Sequence, residues 1–272
     1  MKIILRLTIC AVILFCSSAI YAAPVGNIAT PALLESALIS ESKEDDKIGI
    51  LGAFEADIIN DRNLEGQDGK TDLRFYNGKI GLIFADRAIA YGLLGTGRIE
   101  SKFKQLGNTI KFESNTDVAW GAGGTIILYE KTLYSWDNSI IRLGADGRYR
   151  STSLEADRIL VGATRYDIPD PLVSNIDIDY QDWQVAGAVS WQWKRLIPYV
   201  GGKYSDSSGN LRATVAGTTY DTDIEADSKF GIFFGTDILI KDPITEKDTI
   251  TVNIEFRLID EQAVTIGGAV RF

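Results

Sequence analysis

Residues 250–258 read Ile250-Thr251-Val252-Asn253-Ile254-Glu255-Phe256-Arg257-Leu258. Ile250, Val252, Ile254, Phe256 and Leu258 fall on one face of an extended chain, and Thr251, Asn253, Glu255 and Arg257 on the other. Strict alternation with period two is the signature of a β-strand with two unlike faces. Two folds accept such a strand. A soluble sandwich turns the apolar face to a core and the polar face to water. A membrane barrel reverses the sense, with apolar residues against lipid and polar ones toward a lumen.

The pattern recurs along the chain. Trp183, Val185, Gly187, Val189, Trp191 and Trp193 oppose Gln184, Ala186, Ala188, Ser190 and Gln192; Ile141, Leu143, Ala145, Gly147 and Tyr149 oppose Arg142, Gly144, Asp146, Arg148 and Arg150. Ten strands are expected, over about 47–59, 73–85, 88–103, 116–130, 139–154, 177–193, 196–206, 227–241, 247–259 and 263–272. Most have the 9–11 residues, or more, that a tilted strand needs to cross a bilayer. Gly within the apolar runs argues against helix.

The connections alternate in length. Short ones are expected at Asp86-Arg87, at Tyr134 to Asn138, at Lys194-Arg195 and at Asp242-Pro243; long ones at about 60–72, 104–115, 155–176 and 207–226. Short turns on one side and long loops on the other are what a transmembrane barrel has. The link near Asp260 to Gln262 is the one short connection on the long side. Aromatics follow the same division, with Trp191, Trp193, Trp136, Tyr134, Phe84 and Tyr91 near the short turns and Trp183, Trp120, Tyr76, Tyr149 and Phe230 near the long loops. Two such levels make interfacial girdles. The fold class expected is therefore all-β, a closed antiparallel up-and-down transmembrane β-barrel of about ten strands. In hydrocarbon a sheet must close, because each unpaired backbone group costs several kcal/mol, of the order of a lost hydrogen bond without water to replace it.

The domains expected are a signal peptide at 1–23, a short N-terminal segment at 24–46 and the barrel at 47–272. Lys2 and Arg6, the apolar Ile9 to Phe15 and the small-residue stretch Ala19 to Ala23 form the three parts of a secretory leader, with cleavage after Ala22 or Ala23. The leader holds Cys10 and Cys16, the chain's two cysteines, so the mature protein is expected to have no disulfide and no thiol metal site. In 24–46, Thr30 is the expected cap of a short helix, with Pro31 in its first turn and Leu33, Leu34, Ala37 and Leu38 on one face. This piece is expected in the periplasm or as a partial plug in the barrel mouth, against the alternative of a loose tail.

The formal net charge is −9, and −11 without Lys2 and Arg6. The acid lies in 24–47, 60–72, 155–179 and 206–227, and the rest of the mature chain is slightly basic. A strand charge facing lipid at the midplane costs about 2–4 kcal/mol for Arg or Lys. The expected lumen-facing residues are therefore Glu55, Asp57, Lys79, Arg98, Glu100, Arg142, Asp146, Arg148, Arg150, Lys229, Asp237, Glu255, Arg257 and Arg271. They either line a narrow pore that sets ion preference or pair with one another and fill the barrel, as side chains do in small barrels. Asp221, Asp223, Glu225 and Asp227 alternate, and with the looser Asp177, Asp179 and Asp182 they offer oxygen ligands for a divalent cation; solvated loops are the plainer reading.

Histidine is absent from all 272 residues. Outer-membrane proteases, phospholipases and lipid-modifying barrels rely on a histidine as base, so no catalytic role is expected and no cofactor. Phosphate loops, zinc spacings and Ser-centred elbows are missing from the sequence. Acidic loops make nucleic acid an unfavoured partner.

Two resemblances add to this reading. The end of the chain, with Thr265, Gly267, Val270 and Phe272 in order, resembles the assembly signal of Gram-negative outer-membrane β-barrels. It implies the barrel-assembly machinery as a partner, with outer-membrane lipid and lipopolysaccharide around the mature protein. Pro24-Val25-Gly26-Asn27, with Ala29 and Pro31, resembles the mature N-terminus of the chlamydial major outer-membrane protein, over about fifteen residues. That family is larger, cysteine-rich and disulfide-linked, unlike this mature chain. The resemblance implies a porin in the outer membrane of a diderm bacterium. The expected function is a porin-like passive channel for small solutes or ions; the alternative is a structural or adhesive barrel with a filled lumen.

Overall fold

A computed structural model describes residues 24–34, 48–63, 69–105, 108–134, 138–161, 164–169, 173–215, 218–225, 229–241, 248–259 and 261–272. Among them, ten strands form a closed antiparallel ring: β1 (Ile48–Asn63), β2 (Gly69–Phe84), β3 (Ala88–Gln105), β5 (Asp117–Leu133), β6 (Ser139–Val161), β8 (Val173–Gln192), β9 (Leu196–Val215), β11 (Phe230–Lys241), β12 (Asp248–Leu258) and β13 (Gln262–Arg271). The ring closes where β13 pairs with β1, from Leu51 opposite Arg271 to Asn60 opposite Gln262. The Phe272 N–H adds a bond to the Ile50 carbonyl at 2.9 Å. Every ring strand has two neighbours, so no edge is left to lipid.

The strands alternate as the sequence predicts. On β12, Thr251, Glu255 and Arg257 are buried inside while Val252, Ile254, Phe256 and Leu258 are exposed outside. On β8, Asp182, Gln184, Ala186, Ala188 and Ser190 point in and Trp183, Val185, Val189 and Trp191 point out. The outward rows form the lipid-facing belt, with Ile80 at 74% exposure and Leu94 at 66%. Tyr91, expected in the lower girdle, is instead buried on the inner row of β3, where its hydroxyl meets Asp146 at 3.3 Å.

The start of β1, the end of β13 and the β2–β3, β5–β6, β8–β9 and β11–β12 turns share one end of the barrel, here called periplasmic. At the β2–β3 turn the Arg87 N–H reaches the Phe84 carbonyl at 2.9 Å, and Ala85 and Asp86 both take positive φ (49° and 55°). The connection is three residues long, Ala85 to Arg87, since Phe84 stands opposite Ala88, and its two left-handed residues suit the twist of the strands. Lys194, also left-handed at 57°, turns the chain between the paired Trp193 and Leu196.

At the opposite end the expected loops are largely strand. β1, β2, β3, β6, β8 and β9 all run beyond their expected ends, and three short strands extend the wall: β4 (Asn108–Ser114) between β3 and β6, β7 (Thr164–Asp167) on β6, and β10 (Thr218–Glu225) on β9. The inner row also changes there. Ile59, Leu73, Ile99, Leu154, Ile159, Ile176 and Ile178 are buried apolar residues facing inward above the charged level. With water rather than lipid outside, the wall returns to the ordinary sense of apolar in and polar out.

Candidate functional site in the barrel interior

The site is the interior, and parity builds it: residues two apart on one strand share a face. Glu55, Asp57, Arg142, Asp146, Arg148, Arg150, Asp237, Glu255, Arg257 and Arg271 are all buried on inner rows, and Lys79 is half-buried there. They meet at three levels.

The outer level centres on Arg257. Its guanidinium holds Asp57 at 2.5 Å, Glu261 at 2.5 Å and the Thr265 hydroxyl at 2.7 Å. Glu261 also takes the Lys203 ammonium at 2.6 Å. Arg150 donates to Asp182 at 2.7 Å, lies 3.7 Å from Asp57 and covers the Phe75 ring at 3.7 Å. Tyr180 adds its hydroxyl to Asp182 at 2.9 Å.

The middle level centres on Glu55, which pairs with Arg148, accepts from Asn77 at 3.0 Å and lies 3.5 Å from Lys79. Asp146 accepts from Thr125 at 2.7 Å. Three strands (β2, β3 and β5) separate β1 from β6 around the ring, so Arg148–Glu55 and Arg150–Asp57 span the lumen from wall to wall. Across from them, Asn253 donates to Asp237 at 2.8 Å.

The periplasmic level is filled by the chain's own N-terminal segment. Pro24 offers its carbonyl to Arg148 at 2.8 Å and to Gln184 at 3.4 Å. The Val25 and Gly26 N–H groups both point at the Glu255 carboxylate, at 3.1 and 2.8 Å. Val25 and Ile28 pack with Ala186, Ala188, Tyr199 and Phe233; Ala29, Leu33 and Leu34 pack with Leu51, Ile83, Ile89, Tyr91, Leu93, Ile197 and Leu239. Gly144 leaves room for Ile28, whose Cδ1 would stand 2.8 Å from a Cβ placed there. Arg271 donates to the Leu34 carbonyl at 2.8 Å and pairs with Asp86 at 2.6 Å. A cavity of about 80 Å³ remains beside Pro24–Asn27, bordered by Glu55, Lys79, Asp237, Thr251 and Asn253. The helix in this segment, α1 (Thr30–Leu33), is one turn long, and its N-cap is Ala29 rather than Thr30. Asn27 shapes the turn that leads into it: its side-chain oxygen takes the Ala29 N–H at 2.9 Å and its carbonyl the Thr30 hydroxyl at 2.6 Å. Ala37 and Leu38 lie outside the described residues.

Three expected lumen residues stand elsewhere. Arg98 and Glu100 share the outward parity of Leu94 on β3, at the level of the outer extension. Arg98 reaches Glu113 at 3.4 Å and Glu100 holds Lys111 at 2.5 Å. Above the lipid a charge faces out without cost, so the rule that sends strand charges inward no longer applies. Lys229, at the mouth of β11, pairs with the half-exposed Asp206 at 3.1 Å. The Asp177, Asp179 and Asp182 group is likewise divided, since Asp182 points in toward Arg150 and Asp179 is exposed. Asp221, Asp223 and Glu225 of β10 pair in register with Arg212, Asn210 and Ser208 of β9; Asp227 lies outside the described residues. Among the described residues no group of three or more metal-ligating side chains is gathered.

Lys203, Asp182, Glu261, Gln184 and Tyr199 belong to the interior without being among the expected lumen residues, although the sequence reading puts Gln184 on the polar face of its strand and Asp182 in an acid cluster. A signal existed for most of them. Tyr199 and Lys203 lie an even number of residues from Ile197 on β9, and Asp182 and Gln184 share parity with Ala186. Of the assembly-signal residues, Thr265 is an interior group bonded to Asp57 at 2.9 Å. The Phe272 ring lies over Gly52 on the outer face, where an added Cβ would be 3.1 Å from it.

In the outer extension, the pairing of Glu113 with Lys111 at 2.9 Å holds its carboxyl below the usual carboxylate range, and the same contacts with Glu100 and Glu113 raise the Lys111 ammonium.

No protein-family model matches the chain. It is distantly similar to the major outer membrane porin of Chlamydia trachomatis, 22% identical for serovar E and 23% for serovar L1, over 61% of this chain in each case. The chain spans about half the length of these curated relatives, 54% of each. Solved barrels align over most of the chain at low similarity. The translocator domain of the autotransporter NalP from Neisseria meningitidis has a TM-score of 0.40 and 10% identity, covering 84% of this chain and 90% of that one. The transport unit of the autotransporter AIDA-I from Escherichia coli has a TM-score of 0.30 and 10% identity, covering 90% and 95%. Structural likenesses of this depth decide nothing about activity.

Proposed function

We propose that this protein is a porin-like outer-membrane barrel that passes small ions or solutes passively, and that the described conformation is its closed state. The observation that carries the reading is the lining: charged and polar side chains from almost every ring strand face inward at the level where the outer face is apolar. The distant similarity to chlamydial porins supports it. So does the composition of the lining, in which Lys79, Arg142, Arg148, Arg150, Lys203, Arg257 and Arg271 balance Glu55, Asp57, Asp146, Asp182, Asp237, Glu255 and Glu261 in formal charge. The absence of histidine from the chain argues for a conduit rather than an enzyme. In this reading the leader at 1–23 sends the chain for assembly through its C-terminal strand, and the aromatic girdles seat it among outer-membrane lipid and lipopolysaccharide.

A second reading has its own observation. The wall-to-wall pairs Arg148–Glu55 and Arg150–Asp57 brace the barrel and obstruct the lumen, as a structural or adhesive protein would tolerate. Planar-bilayer recording of purified, refolded protein separates the two. Discrete conductance steps are expected, and they are expected to grow when Arg150 is shortened to Ala. Silence from the wild type, from Arg150→Ala and from a chain lacking residues 24–46, in barrels shown to be inserted, would leave the structural reading in place.

A further inference from the structure

We infer that the barrel interior contains a built docking site for residues 24–34 and that this segment is a releasable gate, an internal peptide ligand rather than a part of the wall. The inference rests on the porin reading for its consequence, though not for the docking itself.

The contacts separate ligand from wall. No strand ladder joins 24–34 to the ring; most of its polar anchors are wall side chains that grip its main chain, and the Asn27 side chain adds a bond to the Ile197 carbonyl at 3.4 Å. Glu255 accepts two successive N–H groups, Arg148 and Gln184 take the Pro24 carbonyl, and Arg271 takes the Leu34 carbonyl at the far end. The segment can therefore leave without breaking a hydrogen bond of the barrel. Around Pro24–Asn27 the wall it would leave behind is polar and already beside space, since a cavity of about 80 Å³ there is bordered by Glu55, Asp237 and Asn253; nearer the mouth it would uncover the apolar inner row of Leu51, Ile83, Ile89, Ile197 and Leu239. A cavity of that size holds about two or three waters, at roughly 30 Å³ each in the liquid. Burial of Ile28, Ala29, Leu33 and Leu34 holds the segment in at rest. Thirteen residues of chain separate it from β1, a contour of at most roughly 45 Å.

Gly26 is the position where the ligand can be altered while the wall stays intact. It donates to Glu255 and has φ +74°, which proline, fixed near −65° and lacking the N–H, cannot adopt. The experiment compares wild type, Gly26→Pro and a chain lacking 24–34, each inserted in lipid vesicles and in planar bilayers. A cysteine placed at Ala29, where no other cysteine remains in the chain from Pro24 onward, reports docking through its rate of labelling by a water-soluble maleimide. Labelling is expected to rise about ten-fold or more in Gly26→Pro, the loss expected from one hydrogen bond to a charged acceptor. Gly26→Pro and the deletion are expected to stay open far longer than wild type. A synthetic peptide of residues 24–34, added from the periplasmic side, is expected to close the deletion channel, and the same peptide with proline for Gly26 is not. Equal labelling of position 29 with and without Gly26→Pro overturns the docking site. Equal open times in wild type and deletion overturn the gate and leave the porin reading intact. Silent barrels in every form, with labelling still faster in Gly26→Pro, remove the porin reading and support docking.

Discussion

At the residue scale, the interior consists of charges that can be buried because each has partners. Arg257 is fully enclosed and bonds to three carboxylates, Asp57, Glu261 and Glu255, and a hydroxyl at once. Replacing it by Met keeps the bulk but strands Asp57 and Glu261 without their main cation. Breaking a buried pair by removing one partner costs about 3–5 kcal/mol, so Arg257→Met is expected to lower the urea midpoint of the inserted barrel clearly. Adding Asp57→Asn to that variant is expected to recover part of the loss, and a double-mutant cycle measures the coupling. The interior parity of Arg257, Glu255, Arg148 and Arg150 was legible from alternation alone. Arg98 and Glu100 were misread because a rule about charges in lipid was applied to residues standing above it.

The element scale shows where lipid stops shaping the strands. Within the membrane belt the ten ring strands carry apolar residues outside; in the extension, β4 and the upper ends of β3 and β6 carry Arg98, Glu100, Lys111, Glu113 and Arg158 as an ion cluster. The carboxyl of Glu113 is held below its ordinary value of 4.5 when folded. A depressed folded value means the stabilisation is present above 4.5 and disappears as pH falls through the folded value. Amide exchange in Asn108–Ser114 is therefore expected to quicken as pH drops below about 4.5, after correction for the intrinsic pH dependence of exchange, while the β12–β13 ladder stays protected. Glu113→Gln is expected to abolish that acid sensitivity. Uniform loss of protection over the whole barrel would contradict it. The extension was read from sequence as loops, because its strands are short and polar on the outside, and no hydrophobic outer row marks them.

On the scale of the whole molecule, closure of the ring brings distant residues together and makes the lumen one chamber. Its inner basic and acidic residues are matched in number, so the proposed channel has little fixed charge to select with. In a ten-fold gradient of KCl the reversal potential of the opened deletion channel is expected near zero, and Arg148→Ala together with Arg150→Ala is expected to shift it toward cation preference. A strong preference in the unaltered lining would show that the pairs named here do not screen one another.

The order and number of the ten ring strands and the side of each that meets lipid were determined by the sequence by itself, because the period-two pattern is local and is read within a dozen residues. The three levels of the interior were decided only by the tertiary structure. Glu55 meets Arg148 across 93 positions of chain and Asp57 meets Thr265 across 208, and no local pattern encodes which inward charge finds which. The same holds for residues 24–34: their apolar and small residues suit a helix, a tail or a plug, and only the enclosed wall of side chains waiting for their main chain selects the last.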